Sequence, residues 1–488
     1  MYQPNLFEQQ QQEYRDYSTS SLAWIETVKG VPYFIDEYGK DWTPIGQNDA
    51  ITWVELAGAF RRRNFISVEN YFRMLAAHKV SCLRLMLEYC QGEHRYLERP
   101  VNHFQPNMIR LWDDVFALCE KYRLRILLTP FDTFWMWVRW KNHPYNRKNG
   151  GICAKRSQWL LCSETRSAIK NRLAFAAERW GASGALFAWD IWNEIHPSHA
   201  ARSVEVFGDF VEDISGFLRK TEMRLYGRTH PQTVSVFNPV IDSDRRIAEC
   251  IFRHPSLDFA STHFYEKGTI DNPQNTVDAA VSVGRLTRQA LTEIIDERPF
   301  FDSEHGPIYS YKKRKITLPE SFDDEYFRHI QWAHFASGGA GGGMRWAYRN
   351  PHKLTEGMRT AQQALSNFLP LVNWQSFYSR RNLNREIELT SSAFAAFGCG
   401  NGNQSIVWLL RTDNRNKDGT LRKDVETESL LIKVPGLING KYRVTVWDTA
   451  SGSIVKTFSI NRLDENRLCF NVPPIKTDLA LIIKRISA

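Results

Sequence analysis

The sequence predicts a (β/α)8 barrel followed by an all-β sandwich. Three observations predict it. From Tyr33 onward short apolar runs alternate with helical patterns, and the runs are mostly uninterrupted, as strands covered on both faces must be. Eight such runs are counted, and eight strand-helix units close naturally into a barrel. After Trp374 the texture changes to short alternating segments separated by turn residues. The expected divisions are a polar extension over residues 1–30, a barrel over 31–374 and a sandwich over 375–488.

The elements follow in order. "WTPIGQN" (42–48) is the first strand, and the next helix has Val68, Tyr71, Phe72, Leu75 and Ala76 on one face, with Ser67 as its N-cap. "SCLRLMLE" (81–88), a helix over 107–122 and "LRILLTPFD" (124–132) come next. A long loop and a helix near 165–180 lead to "LFAWDIWNEIHP" (186–197). A helix with Val206, Phe207, Phe210, Val211, Ile214 and Leu218 on one stripe precedes "QTVSVFN" (232–238). "DFASTHFY" (258–265), a helix near 276–296, "RPFFDSEHG" (298–306), a helix over 323–336 and "GGMRWAY" (342–348) complete the barrel, with a last helix at 353–370.

A doubly wound open sheet is the competing architecture, but its usual Gly-rich first turn is missing: "GQNDA" is not GxGxxG. The run "SGGAGGGMRW" (337–346) follows a helix and enters a strand, the reverse of a phosphate cradle, and reads as a helix stop with a tight strand entry. In the sandwich, Asn401-Gly402, Asp418-Gly419 and Asn439-Gly440 mark turns, and Trp408 and Trp447 alternate with apolar neighbours as core residues do.

The 488 residues include 16 Trp, 29 Phe and 18 Tyr, a load that suits a core plus stacking contacts with sugars. The formal charge of +9 raises the question of nucleic acid, yet the basic residues are scattered among 54 acidic ones. The dense run Tyr311-Lys312-Lys313-Arg314-Lys315 reads as a solvated loop, so no nucleic-acid partner is expected. The eight Cys show no zinc spacing; Cys153 and Cys162 share a loop and are the one candidate pair. No apolar stretch has membrane-span length, and the Gln-rich start carries no apolar signal core, which leaves the compartment open between an intracellular protein and one whose signal has been removed.

In a parallel barrel the carboxyl ends of the strands line one mouth. The polar residues there are Asn48, Arg84 with Glu88, Asp132, Asn193 with Glu194, Asn238, His263 with Tyr265, and Glu304 with His305; Trp346 joins them. Two carboxylates on different strands, Glu194 and Glu304, are what glycosidic cleavage needs: one protonates the leaving oxygen, the other attacks the anomeric carbon or activates water. The competing reading of each is a buried ion pair with Arg84 or a histidine. No HxH or comparable ligand set caps a strand, which disfavours a metal-dependent hydrolase; the two-carboxylate reading calls for neither metal nor organic cofactor.

These residues carry a resemblance. "WDIWNEI" (189–195) resembles the Asn-Glu strand end of clan A glycoside hydrolases, especially family-5-like cellulases and mannanases. "THFY" (262–265), "FFDSEHG" (300–306) and "MRWAY" (344–348) resemble the clan's sixth, seventh and eighth strands, over about residues 30–370. The resemblance implies Glu194 as general acid/base and Glu304 as nucleophile. It implies Asn193 on the substrate 2-hydroxyl, Tyr265 on the nucleophile and His263 in the acid/base network. Arg84 would keep the nucleophile ionised and Trp346 would floor the subsite of cleavage. Family 5 commonly has a His near the end of the third strand, where this chain has Asp132, so the match is to the clan more than to the family.

Glu88 and Asp132 are then candidates for substrate hydroxyls, with a structural ion pair as the alternative. The loop "TFWMWVRWKNHPYNRKNGG" (133–151) offers Trp135, Trp137, Trp140 and Tyr145 as stacking platforms, or else a self-packed cover. The expected activity is hydrolysis of a β-linked glucan or mannan, polysaccharide or oligosaccharide, with retention and a carboxylate separation of about 5–5.5 Å. The alternative is a non-catalytic carbohydrate-binding protein on a hydrolase scaffold.

Overall fold

Parallel strands Gly46–Asn48, Cys82–Met86, Arg125–Thr129, Leu186–Asp190 and Gln232–Thr233 pair side by side in that order. Ser235–Phe237, Ala260–Phe264 and Phe300–His305 continue the parallel pairing. Arg345 makes parallel bridges to both Gln47 and His305, between the first and last of these strands. This computed structural model describes residues 20–53, 60, 64–88, 96–314, 316–461 and 467–486, with the backbone alone at Trp135, Lys313 and Arg314. Residues 1–19, Cys90 and the Trp135 side chain, all used in the sequence reading, lie outside that description.

The strands are buried on every residue from Cys82 to Met86, Arg125 to Thr129 and Leu186 to Asp190, which is why they read as continuous apolar runs. Helices Phe65–Ala77, Pro106–Tyr122, Ser163–Trp180, Val204–Tyr226, Thr276–Glu293, Glu320–Ala336 and Glu356–Phe368 follow successive strands. Their N-caps are set by the sequence: Ser203, Asn275 and Thr355 each accept a backbone N–H of the first turn. The first helix differs from expectation. Asn64, not Ser67, is the cap, and its side chain accepts from the Ser67 N–H at 3.2 Å.

The first strand is also shorter than predicted. Trp42 belongs to an antiparallel meander of Ile25–Glu26, Phe34–Asp36 and Asp41–Trp42, and only Gly46–Asn48 joins the parallel strands. Gly46 is required there, because a Cβ would stand 1.6 Å from the Cys82 carbonyl oxygen. The meander presses Ile25, Phe34 and Trp42 against Cys82, Phe187, Phe259 and Phe301, residues at or near the amino ends of the parallel strands. Phe34 stacks edge-on to Phe187 and Phe259, with centroids 4.9 and 5.3 Å away. Residues 22–26 are therefore part of the fold and not of a polar extension: Leu22, Trp24 and Ile25 are buried.

Past Trp374 lies an antiparallel β unit. Six strands order as Arg381–Asn382, Phe394–Gly400, Gln404–Arg411, Asp478–Ile486, Lys441–Asp448 and Ser453–Asn461; three more, Glu388–Leu389, Leu431–Pro435 and Arg467–Asn471, form a second sheet. Apolar residues of both sheets make one cluster around Val407, Ile432, Val444, Leu468 and Leu481. Trp408 and Trp447 are buried, but they join the other core: Phe397, Ile406, Trp408 and Trp447 merge with the apolar side of helix Glu320–Ala336. Polar ties reinforce this seam, as Glu325 accepts from the Leu421 N–H at 2.7 Å and Arg328 pairs with Asp478 at 3.2 Å.

One smaller expectation falls differently. Within the basic run after the seventh strand, Tyr311 to Arg314 lie in the helix Ile308–Arg314 and not in a loop; Lys315 lies outside the described residues. Cys153 and Cys162 are both free thiols. Among the described residues no helix is long and apolar enough to cross a membrane.

Candidate active site

The site begins with one arginine. Arg84, fully buried on the second strand, donates to Asp190 Oδ2 at 2.6 Å, Asn48 Oδ1 at 2.8 Å, Glu304 Oε2 at 3.0 Å and Ser235 Oγ at 3.2 Å, and also to Asn193 Oδ1. A buried guanidinium needs this many acceptors to offset its lost hydration. Five parallel strands or their carboxyl ends are thereby tied to one side chain.

Glu304 sits opposite. Its Oε1 accepts from the Tyr265 hydroxyl at 2.8 Å, and Tyr265 in turn meets the Tyr348 hydroxyl at 2.9 Å. A bulge in the last strand pair sets its direction. Thr262 pairs with Asp302 and His263 with Glu304, so Ser303 is the extra residue that turns Glu304 towards His263. Beneath, Asn48 donates to the Ser303 and Met344 carbonyls at 2.8 and 3.0 Å, which makes it a brace.

Glu194 follows its strand in a left-handed conformation, φ +50°, uncommon for a residue with a side chain and typical of strained functional positions. Its N–H donates to Ser235 Oγ at 3.3 Å, and its Oε1 lies 2.9 Å from His263 Nδ1. His263 Nδ1 is also 3.8 Å from Glu304 Oε2. One atom each of Glu194, His263 and Glu304 lie within 4.8 Å of one another.

Burial raises both acids. Burial pushes the pKa of Glu194 up to about 7 against the pull of Arg84 and Lys312, while 23% of its side chain stays open to the cleft. Glu304 is raised as well, by burial first and by Glu194's charge, with His263, Arg84 and the Tyr265 hydrogen bond opposing. The guanidinium alone would lower it, in keeping with an ionised nucleophile; burial outweighs that pull. Burial lowers His263 to about 4, so its ring is neutral at pH 7. The trio of donors also suits a divalent cation, but the Arg84 guanidinium on Glu304 opposes a second positive charge there.

The remaining candidates separate. Asn193 joins the cluster, its Nδ2 donating to Asp132 Oδ1 at 2.6 Å while its Oδ1 takes Arg84. Asp132 thus orients Asn193 and also accepts from the Phe134 N–H at 3.1 Å. Glu88 is drawn aside into an ion pair with buried Arg172, which also holds Glu98 at 2.7 Å. Trp346 lies in an aromatic cluster with Trp53, Tyr265 and Tyr348. Asn238 turns to Asp242 in its own helix, and His305 turns down to Asp302 at 2.8 Å.

The aromatic loop is largely self-packed: Tyr145 is fully buried and stacks on Trp159, and Trp140 meets Trp159 edge-on. Trp137 is the exception. It stays 36% exposed and rests on His196 and His199, just after Glu194.

Three contributors escaped the sequence reading. Asp190 and Tyr348 stand inside the quoted stretches "WDIWNEI" and "MRWAY", where a buried acid and a second tyrosine were visible signals. Ser235, hydrogen-bonded to Asp190 at 2.9 Å, gave none.

The fold is that of glycoside hydrolase structures. A glycoside hydrolase of family 5 from Bacteroides vulgatus ATCC 8482 superposes with a TM-score of 0.61 at 11% identity, over 97% of this chain and 95% of that one. Another structure described as a glycoside hydrolase gives 0.60 at 11% identity, over 96% and 98%. No protein-family model matches the sequence, and no curated protein matches it.

Proposed function

We propose that the protein is a retaining β-glycosidase of the family-5 type that cleaves β-linked glucan or mannan chains or their oligosaccharides. In this reading the parallel pairings close a (β/α)8 barrel and the β unit is a sandwich braced behind it. The observation that carries it is the Glu194–His263–Glu304 trio, whose ligand atoms lie within 4.8 Å of one another. That closeness favours the two-carboxylate spacing of double displacement over the wider gap that inversion needs to admit a water.

The two acids take different roles because their partners differ. Glu304 receives donors from Arg84 and Tyr265, which stabilise its anion and aim it, so it attacks the anomeric carbon. Glu194, with a pKa near 7, holds a proton for the leaving oxygen as the bond breaks. A water then enters on Glu194's side, gives it a proton and attacks the anomeric carbon, releasing Glu304 as carboxylate. Asn193, fixed by Arg84 and Asp132, addresses the 2-hydroxyl of the sugar, and Trp346 with Trp53 walls the site.

Sugar release from β-mannan, β-glucan, xylan and short aryl β-glycosides tests this, with wild type and Glu304→Gln side by side and the product anomer read by NMR. Release by wild type alone, with retention, is expected. Inverted product overturns the mechanism, and binding without release by wild type favours a non-catalytic sugar-binding protein.

A further inference from the structure

The mouth of the site has a strongly one-sided charge. The segment after the third strand, residues 133–163, contains six Lys or Arg and no Asp or Glu. The segment after the seventh, residues 308–317, contains four and none. Both leave the carboxyl ends of their strands, on the side where Glu194 and Glu304 lie.

Within these segments two cations are mounted on exposed rings. Phe134 and Trp137 are three apart on helix Thr133–Val138 and so share a face; they are 38% and 36% exposed. The Lys312 ammonium lies 5.2 Å from the Phe134 ring centre and the Arg156 guanidinium 5.6 Å from that of Trp137. Arg156 also donates to the Trp137 carbonyl at 3.4 Å, which holds it there. Among the described residues neither cation forms an ion pair. The ledge adjoins the acid/base: Lys312 acts on the Glu194 carboxyl, and Trp137 leans on His196 and His199 of the loop that Glu194 opens.

We propose that the leaving-group side of this cleft binds an anionic sugar, with its ring on Trp137 or Phe134 and its carboxylate or sulfate between Lys312 and Arg156. The proposal rests on the glycosidase reading, because the group beside the acid/base is by definition the leaving group. Exposed aromatic faces bind sugar rings, and cations held over those rings with donors left free accept an anion at the ring's edge. An unbalanced positive field at the mouth also raises the local concentration of acidic chains.

The test uses the return reaction at the same subsite. An aryl β-glycoside forms the glycosyl-enzyme on Glu304, and an acceptor sugar competes with water to take the glycosyl group. The C1–O bond to Glu304 breaks, a C1–O bond to the acceptor hydroxyl forms, and the hydroxyl proton passes to Glu194. The full chain is given 4-nitrophenyl β-glucoside or β-mannoside with equal concentrations of glucose, glucuronic acid or glucose 6-sulfate, and transfer products are counted against hydrolysis.

Transfer to an acidic acceptor about five-fold above glucose is expected, which is the scale of an exposed charge contact. The preference should shrink in Lys312→Gln and Arg156→Gln, persist in Lys312→Arg and fade at high salt. Preference for glucuronic acid alone assigns a carboxylate, and for glucose 6-sulfate alone a sulfate. Hydrolysis with equal transfer to all acceptors, or with none, overturns the proposal while the glycosidase reading stands. Absence of any hydrolysis removes both.

Discussion

His263 Nδ1 lies 2.9 Å from Glu194 Oε1 and 3.8 Å from Glu304 Oε2, so a single imidazole spans both acids. The ring is buried and neutral at pH 7, and its one Nδ1 site either donates to a Glu194 carboxylate or accepts from its acid form. It can therefore stay hydrogen-bonded while Glu194 changes protonation state. His263→Ala is expected to cost about 10–100-fold in kcat/KM and to move the alkaline limb of the pH profile; an unmoved limb would assign His263 to packing alone.

Under the proposed mechanism the pH dependence follows from the two carboxyls. Glu194 must carry a proton, so kcat/KM falls as pH rises through its value of about 7. Glu304 must be ionised, and its pKa is raised, so activity also falls on the acid side at a pH above the ordinary glutamate range. A bell-shaped kcat/KM profile results. With an aryl glycoside whose leaving group needs no proton, the alkaline limb should weaken, and Glu194→Gln should abolish it.

Glu304→Gln and Glu194→Gln should fail differently. Under the proposed division of roles, Glu304→Gln lowers kcat by at least about 10³ on every substrate. Loss of the acid lowers it by about 10²–10⁴ on substrates with poor leaving groups and much less on activated ones. Thermal unfolding of both variants near wild type would show that chemistry, not folding, is lost. Equal losses on both substrate types would reject the division of roles.

Arg84 and Asp190 are both fully buried and bonded to each other, so each is the other's compensation. Arg84→Gln should lower stability by about 3–5 kcal/mol, since it leaves the buried Asp190 without its guanidinium partner, and should reduce activity through Glu304 and Asn193 together. Arg84→Gln with Asp190→Asn should recover part of the stability without the activity. Urea unfolding of the single and double variants measures the coupling.

Asp302, two residues before Glu304 on the same strand, is pushed up to about 8 by burial. A carboxyl raised in the folded state contributes stability that is fully present below its unfolded value of about 4 and is lost as pH rises towards 8. Asp302→Asn carries no such proton. The stability difference between wild type and this variant should therefore drift against wild type from pH 4 to 8, and a constant difference would mean that Asp302 is ionised throughout.

Most of the parallel strands were legible because burial on both faces leaves continuous apolar runs, as in "LFAWD" (186–190). The first strand was misjudged because Trp42 and Ile45 look alike in a pattern, while Pro44 and the close approach at Gly46 are what divide them. The site was legible at the strand ends, where a polar residue after an apolar run stands out. Roles were less so. Glu88 follows a buried strand and Glu304 lies near the end of one, and the position of Arg172, far along the chain, draws Glu88 away. Ser235 and the Ser303 bulge depend on strand register, which no local pattern encodes.

Helix Glu320–Ala336 has few surfaces left for water: its buried residues include Phe322, Tyr326, Ile330, Trp332 and Phe335 along with Asp323, Glu325 and His329. One side belongs to the parallel domain and another to the C-terminal sheets. Cutting the chain near Trp374 would thus not separate two modules but strip a wall from a room. A single heat-absorption peak is the natural calorimetric signature of such a shared wall, and exchange of this C-terminal unit between proteins of this fold would need the helix to travel with it.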